Sequence, residues 1–76
     1  MKVTALFFAG IREQIGCAQR QITVDPGATV GDLWQSVGVE AVSSPVLHAV
    51  NEHYCNADTP LTDGDCVAFF PPVTGG

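Results

Sequence analysis

At 76 residues, against a usual domain of about 100–150, the chain has room for one domain, one small core and one site, which excludes a separate catalytic or regulatory module. Three Lys plus Arg against eight Asp plus Glu leave a net charge of −5. That charge disfavours nucleic acid and anionic membrane surfaces, and suits an acidic carrier steered onto a basic docking site.

Val3, Ala5 and Phe7 alternate with Thr4, Leu6 and Phe8, and this period of two predicts a first strand over Lys2–Ala9, buried largely on both faces. Lys2 and Thr4 belong on the wetter side, so parity sends Leu6 and Phe8 there and Val3, Ala5 and Phe7 into the core. Met1-Lys2 followed by Val3–Ile11 also imitates a secretory signal, whose cleavage would delete this strand. The longest apolar run, Ala5–Ile11, is far short of the roughly 18 residues that span a bilayer.

Gly10–Gly16 places Ile11 and Ile15 one turn apart, which predicts a short helical turn. Gln19–Val24 then returns as a half-exposed edge strand, antiparallel to the first, and ends at the turn Asp25-Pro26-Gly27. Thr29 as N-cap, with Asp32 three residues on, opens a helix over Val30–Val37. Its stripe is Val30, Leu33, Trp34 and Val37, with Trp34 expected as the main core plug and Gly38 as the left-handed stop. Val46–Asn51, a turn at Asn51-Glu52-His53 and a brief return at Tyr54-Cys55 follow. Turns at Asp58–Pro60 and Thr62–Asp65 lead to a last strand, Cys66–Phe70. This order predicts an α+β, β-grasp (ubiquitin-like) roll, a mixed sheet of about five strands on one main helix.

Cys17, Cys55 and Cys66 are an odd set without a Cys-x-x-Cys, so neither a disulfide framework nor a zinc ribbon is encoded, and a reducing, cytoplasmic compartment fits. His48, His53 and Cys55 lack the spacing of a closed zinc site. The two histidines are expected in solvent or in the hairpin. Cys66 is expected as an inert, half-covered thiol.

Residues 1–70 are therefore expected as the domain and 71–76 as an extended tail, Pro71-Pro72-Val73-Thr74-Gly75-Gly76. Two prolines stiffen its base, and six extended residues reach at most roughly 20 Å. A bare Gly-Gly is elsewhere a frayed end; here it follows a rigid Pro-Pro leaving a buried strand, and the glycines are read as the true last residues. The tail carries no ionisable side chain, so the α-carboxylate of Gly76 is its one charge. Gly75 and Gly76 lack Cβ atoms, which lets the tail thread a constriction and leaves the terminal carbonyl unhindered. A carboxylate is a poor electrophile, and adenylation by ATP is one way to activate it. No phosphate-binding glycine loop is present, so an activating enzyme must use the ATP; no cofactor is expected on this chain. If the first and last strands are neighbours, Leu6, Phe8, Ala68 and Phe70 share an open apolar face at the tail's root, a docking patch for a partner.

Leu6-Phe7-Phe8-Ala9 with Arg12-Glu13, Ala49-Val50-Asn51, and Leu61-Thr62-Asp63-Gly64-Asp65 leading into Val67-Ala68-Phe69-Phe70-Pro71-Pro72-Val73-Thr74-Gly75-Gly76 resemble the molybdopterin synthase small-subunit family of ubiquitin-like sulfur carriers. The likeness runs over nearly the whole chain. It implies that Gly76 is adenylated by a ubiquitin-activating-like adenylyltransferase and converted to a thiocarboxylate. The sulfur then passes to cyclic pyranopterin monophosphate, held by the large synthase subunit, in molybdenum cofactor biosynthesis. It further implies that Gly75 lies in that partner's active site, that Phe70, Pro71 and Pro72 guide the tail, and that this chain is a non-catalytic subunit without a general base. Val39–Pro45 is shorter than in many family members, and Cys66 stands at a position that is commonly polar or charged. The competing readings are a sulfur carrier for thiazole (thiamine) synthesis, against which Phe69-Phe70-Pro71-Pro72 argues, a ubiquitin-like protein modifier, and a plain interaction domain.

Overall fold

The alternation of Val3, Ala5 and Phe7 becomes a central strand because its neighbours on both sides supply complementary rows. The computed structural model describes residues 1–37 and 46–72. In chain order these form β1 (Lys2–Phe7), α1 (Ala9–Ile15), β2 (Gln19–Thr23), α2 (Val30–Val37), β3 (Leu47–Val50), β4 (His53–Cys55) and β5 (Cys66–Phe70). One mixed sheet runs β2-β1-β5-β3-β4. β1 is antiparallel to β2 and parallel to β5, and β3 is antiparallel to both β4 and β5. This is the arrangement expected of a β-grasp roll. The expected Gly38 stop, Val39–Pro45, and the tail residues Val73, Thr74, Gly75 and Gly76 lie outside the described residues.

α2 and β5 occupy the expected ranges from end to end. α2 begins where expected because Thr29 and Asp32 form a reciprocal cap. The Thr29 N–H donates to Asp32 Oδ2 at 2.9 Å and the Asp32 N–H to Thr29 Oγ1 at 3.2 Å. The next two amides are also satisfied, Val30 by the Thr59 carbonyl and Gly31 by that of Ala57. β1, by contrast, stops two residues before the expected Ala9, because Ala9 takes φ +51° and turns the chain into α1.

The core lies between the inner face of the sheet and the helices. Val3, Ala5, Phe7, Val67 and Phe69 meet Ile11, Val30, Leu33 and Val37 there, all buried, and full burial of such side chains contributes about 1.5–3 kcal/mol each. Phe7 and Phe69 stack at 5.8 Å. Trp34 differs from its expected role as the main plug. It is half-buried and covers Phe69 from the flank at 4.8 Å, while Leu33 and Val30 take the centre of the helix stripe. The outer face of β1 also differs, being half-buried or exposed rather than buried on both sides.

Asp65, only 8% exposed, locks the entry to β5. Its carboxylate accepts the Thr62 amide at 2.8 Å, the Thr62 hydroxyl at 2.9 Å and the Asn51 side-chain amide at 3.0 Å. Its own carbonyl accepts the Thr4 N–H. The Thr62 backbone bond is the main cause holding this carboxyl below the usual carboxylate range, with the Asn51 and Thr62 side chains adding and burial opposing. The sign follows: this stabilisation is complete above the unfolded-state pKa of about 4 and is lost as pH falls through the lower folded value. Asp65→Asn should therefore lower unfolding free energy at pH 7 by about 1–3 kcal/mol. The gap to the parent chain should close at more acidic pH, as urea unfolding between pH 7 and pH 2.5 will report.

Candidate functional site

Because β1 and β5 run parallel, their C-terminal ends lie side by side, and the chain leaves β5 next to Phe8. The Phe8 N–H donates to the Phe69 carbonyl at 3.2 Å, fastening that junction. Pro71 is half-buried and Pro72 exposed, so the root of the tail rises at this corner of the sheet.

Register sorts the outer face into rows. One crosses Gln21, Thr4 and Cys66, and the next Gln19, Leu6, Ala68, Ala49 and Tyr54. The row at the tail's root brings Phe70 beside Leu47, with Phe8 following the same parity. The face thus becomes more apolar towards the tail. Leu6, Phe8, Ala68 and Cys66, with Asn51 and Glu52, line a shallow groove of about 440 Å³. The sequence-predicted patch of Leu6, Phe8, Ala68 and Phe70 is brought together on this one face, with Leu6 paired to Ala68 in register.

Two members of the face were not singled out from sequence. Tyr54 is 77% exposed and meets Phe70 edge-on at 5.6 Å, and Leu47 is 39% exposed beside the same Phe70. A return strand read as two residues has no visible parity, so only the β3–β4 register reveals that Tyr54 faces outward. The parity of Leu47 could have been found from its antiparallel pairing with Phe70.

The other singled-out residues lie apart from this corner or bear on it weakly. His48 is not solvent-facing as expected. It points inward, edge-on to Phe69 at 5.5 Å, with Nδ1 buried and without a hydrogen-bond partner among the described residues. That burial lowers its pKa from the ordinary imidazole value. His53 is exposed in the hairpin. Cys17, Cys55 and Cys66 are free and half-buried, and among the described residues no cluster of His, Cys, Asp and Glu is placed to hold a metal ion. No described helix is long and apolar enough to cross a membrane. What the described outer face offers is shape, apolar area and the root of an emerging tail.

A family model described as the ThiS family matches residues 5–76. The chain belongs to the ThiS family. This ThiS-family chain is 41% identical over 81 aligned positions to the molybdopterin synthase sulfur carrier subunit of Escherichia coli (strain K12), spanning 97% of the chain and 99% of that protein. It is 33% identical over 92 positions to small archaeal modifier protein 3 of Haloferax volcanii, with 100% of both chains covered. A solved protein–protein complex of subunits 1 and 2 of molybdopterin-converting factor from Helicobacter pylori 26695 contains a chain with the same fold. That chain gives a TM-score of 0.71 at 28% identity, with 100% of both chains covered.

Outer and inner faces of this ThiS-family sheet differ in what they contribute to stability. Tyr54→Ser, at an exposed position, should change unfolding free energy by no more than about 0.5 kcal/mol. Phe69→Ala, on the inner face one residue from the root of the tail, should cost about 3–5 kcal/mol. Chemical denaturation of the two variants measures the contrast.

Proposed function

We propose that this chain is the sulfur carrier subunit of a molybdopterin synthase, with Gly76 as the sulfur-bearing terminus. The observation that carries this reading is the convergence of the open apolar face, Leu6, Phe8, Ala68 and Phe70, on the root of a Pro-Pro tail that leads to two glycines. Near full-length identity to a protein named for that role supports it.

The chemistry follows from the terminal group. A carboxylate resists acyl substitution because its oxygens hold negative charge and oxide is not a viable leaving group. In the proposed first step an oxygen of Gly76 attacks the α-phosphorus of ATP, pyrophosphate departs, and an acyl-adenylate forms. Sulfur at the sulfide level (HS⁻) then attacks the acyl carbon, AMP departs and a thiocarboxylate remains. Its sulfur bonds to cyclic pyranopterin monophosphate, and water cleaves the acyl C–S bond, which returns the Gly76 carboxylate and leaves the sulfur on the pterin for the dithiolene of molybdopterin. The adenylyltransferase binds the ATP, and the large synthase subunit holds the pterin and supplies basic side chains. In this reading the chain itself binds no cofactor. Its own part is positioning: Phe70, Pro71 and Pro72 set the direction of the tail, and Val73, Thr74 and Gly75 carry the acyl group into a channel too narrow for side-chain bulk near its end.

The large subunit is the proposed partner of the outer face. The related Helicobacter pylori chain occurs in a complex with subunit 2. The Phe70–Tyr54 pair and the exposed Phe8 offer the kind of aromatic anchors that dominate binding energy, and the net charge of −5 favours approach to a basic partner. The proposed setting is cytoplasmic, where free Cys17, Cys55 and Cys66 stay reduced. The full-length likeness to an archaeal modifier protein favours, as a second reading, transfer of the Gly76 acyl group to a lysine amine.

Mass spectrometry of the chain purified from cells holding its own activating enzyme should find one oxygen of Gly76 replaced by sulfur. Lysine-linked adducts in place of the thiocarboxylate would establish the modifier reading instead, and an always unmodified terminus would leave neither. Gly75→Val should leave the unfolding free energy within about 0.5 kcal/mol of the parent and block sulfur transfer in a reconstituted synthase assay. One residue added after Gly76 should likewise abolish transfer while the thermal midpoint stays put, because it displaces the acyl group from the reacting position.

A further inference from the structure

The one described non-glycine residue with positive φ outside the β3–β4 turn is Ala9, at φ +51°, and it sits directly behind Phe8. Left-handed backbone is disfavoured for any residue with a Cβ, and such strain persists only where surrounding contacts over-determine it. Here they do. The Phe8 N–H is tied to the Phe69 carbonyl, and the Phe8 carbonyl accepts the Ile11 and Arg12 amides at 3.1 and 3.3 Å. Ile11 itself is sunk in the core at 1% exposure. The chain must pass from an extended Phe8, φ −122° and ψ 152°, into α1 within a single residue, and a left-handed Ala9 does this.

Glycine would make the turn without strain, and the very next residue is Gly10, where an added Cβ would meet nothing within 4 Å. For stability alone the order of the two residues is the wrong way round. Alanine's left-handed well is narrow, near φ +50 to +70° and ψ +30 to +60°, whereas that of glycine is broad. The strained residue therefore gives a stiff turn in place of a relaxed, loose one. What that stiffness holds is Phe8, 47% exposed, on the groove wall beside the root of the tail.

Resting on the carrier reading above, we infer that Ala9 is a positioning residue for docking: its left-handed backbone fixes Phe8 on the outer face before the large subunit arrives, so that the ordering cost of this anchor is met during folding rather than on binding. Ala9 makes no contact with substrate in this role and acts through Phe8 alone. A purely structural residue would couple stability and affinity, whereas a pre-organising one uncouples them.

The test compares the parent chain with Ala9→Gly and Ala9→Asn, the latter because asparagine accepts the left-handed region while keeping a Cβ. Calorimetric titration against the large synthase subunit is paired with thermal unfolding and backbone order parameters of the free chains. Ala9→Gly should keep its thermal midpoint or raise it by up to about 5 °C and lower the order parameters at residues 8–10. Its Kd for the large subunit should rise about 3–10-fold. Ala9→Asn should bind within about twofold of the parent. Ala9→Gly binding as tightly as the parent, or losing stability and affinity together, would overturn the inference while leaving the carrier reading in place. Failure of the parent chain itself to bind the large subunit would overturn the carrier reading, and this inference with it.

Discussion

A parallel strand pair cannot be closed by a hairpin, so the pairing of β1 with β5 obliges everything between Phe8 and Asp65 to fold as a crossover. That obligation organises the molecule. β2 must occupy the free side of β1, α2 must cross the inner face, and the β3–β4 hairpin must fill the free side of β5. The Phe7–Phe69 stack at 5.8 Å is the apolar centre of the pair, and Asp65 with Asn51 fixes its polar end. The same pairing sets the position of the tail. Parallel strands finish at the same edge, so the chain leaves β5 next to Phe8, the residue that follows β1. The positions of the proposed docking face and of the root of the tail are consequences of one topological choice.

A side chain that is buried to stabilise the fold cannot also bind a partner, and the sheet resolves this by parity. The inward residues of β1 and β5, Val3, Ala5, Phe7, Val67 and Phe69, are fully covered and belong to the core. The outer residues Phe8, Leu47 and Tyr54 keep 47, 39 and 77% of their surface, so their apolar area remains for association. For a chain this small the allocation is costly, since its core has little to spare. It fits the proposed function, in which the chemistry lies in the terminus and a partner must grip the body in a fixed orientation to present it.

Sequence made the helix and the final strand legible because each has strong local punctuation: a reciprocal Thr29–Asp32 cap and a dense apolar stripe in one case, the Asp63-Gly64 turn and a run from Cys66 to Phe70 in the other. It made the outer patch legible through parity alone, since Leu6 and Phe8 share their face with Thr4. Trp34 lies off the centre that its size suggests, because a helical stripe has flanks and a large side chain can reach the core from one of them. Tyr54 and the inward turn of His48 depended on β3–β4 register, which three- and four-residue strands do not encode in any period. The left-handed Ala9 was invisible for a different reason: nothing in the residue type announces it, and only the need to join a paired Phe8 to a buried Ile11 creates it.

That last feature bears on how a carrier can serve its tail without containing an active site. In the function proposed above, the groups that make bonds belong to the partners or to the chain end, and the body contributes through geometry, whose precision depends on the stiffness of the segments around Phe8 and Phe70. Phe70 is held in the interior of the sheet by pairing with β3, with Tyr54 against its ring. Phe8 has no such enclosure. It is the last residue before the chain turns away, an exposed side chain whose backbone is bonded to Phe69, Ile11 and Arg12, and on the inference above the left-handed turn at position 9 limits the freedom those bonds leave. Strain in the backbone is thus the available means of giving an exposed side chain the rigidity that packing gives a buried one.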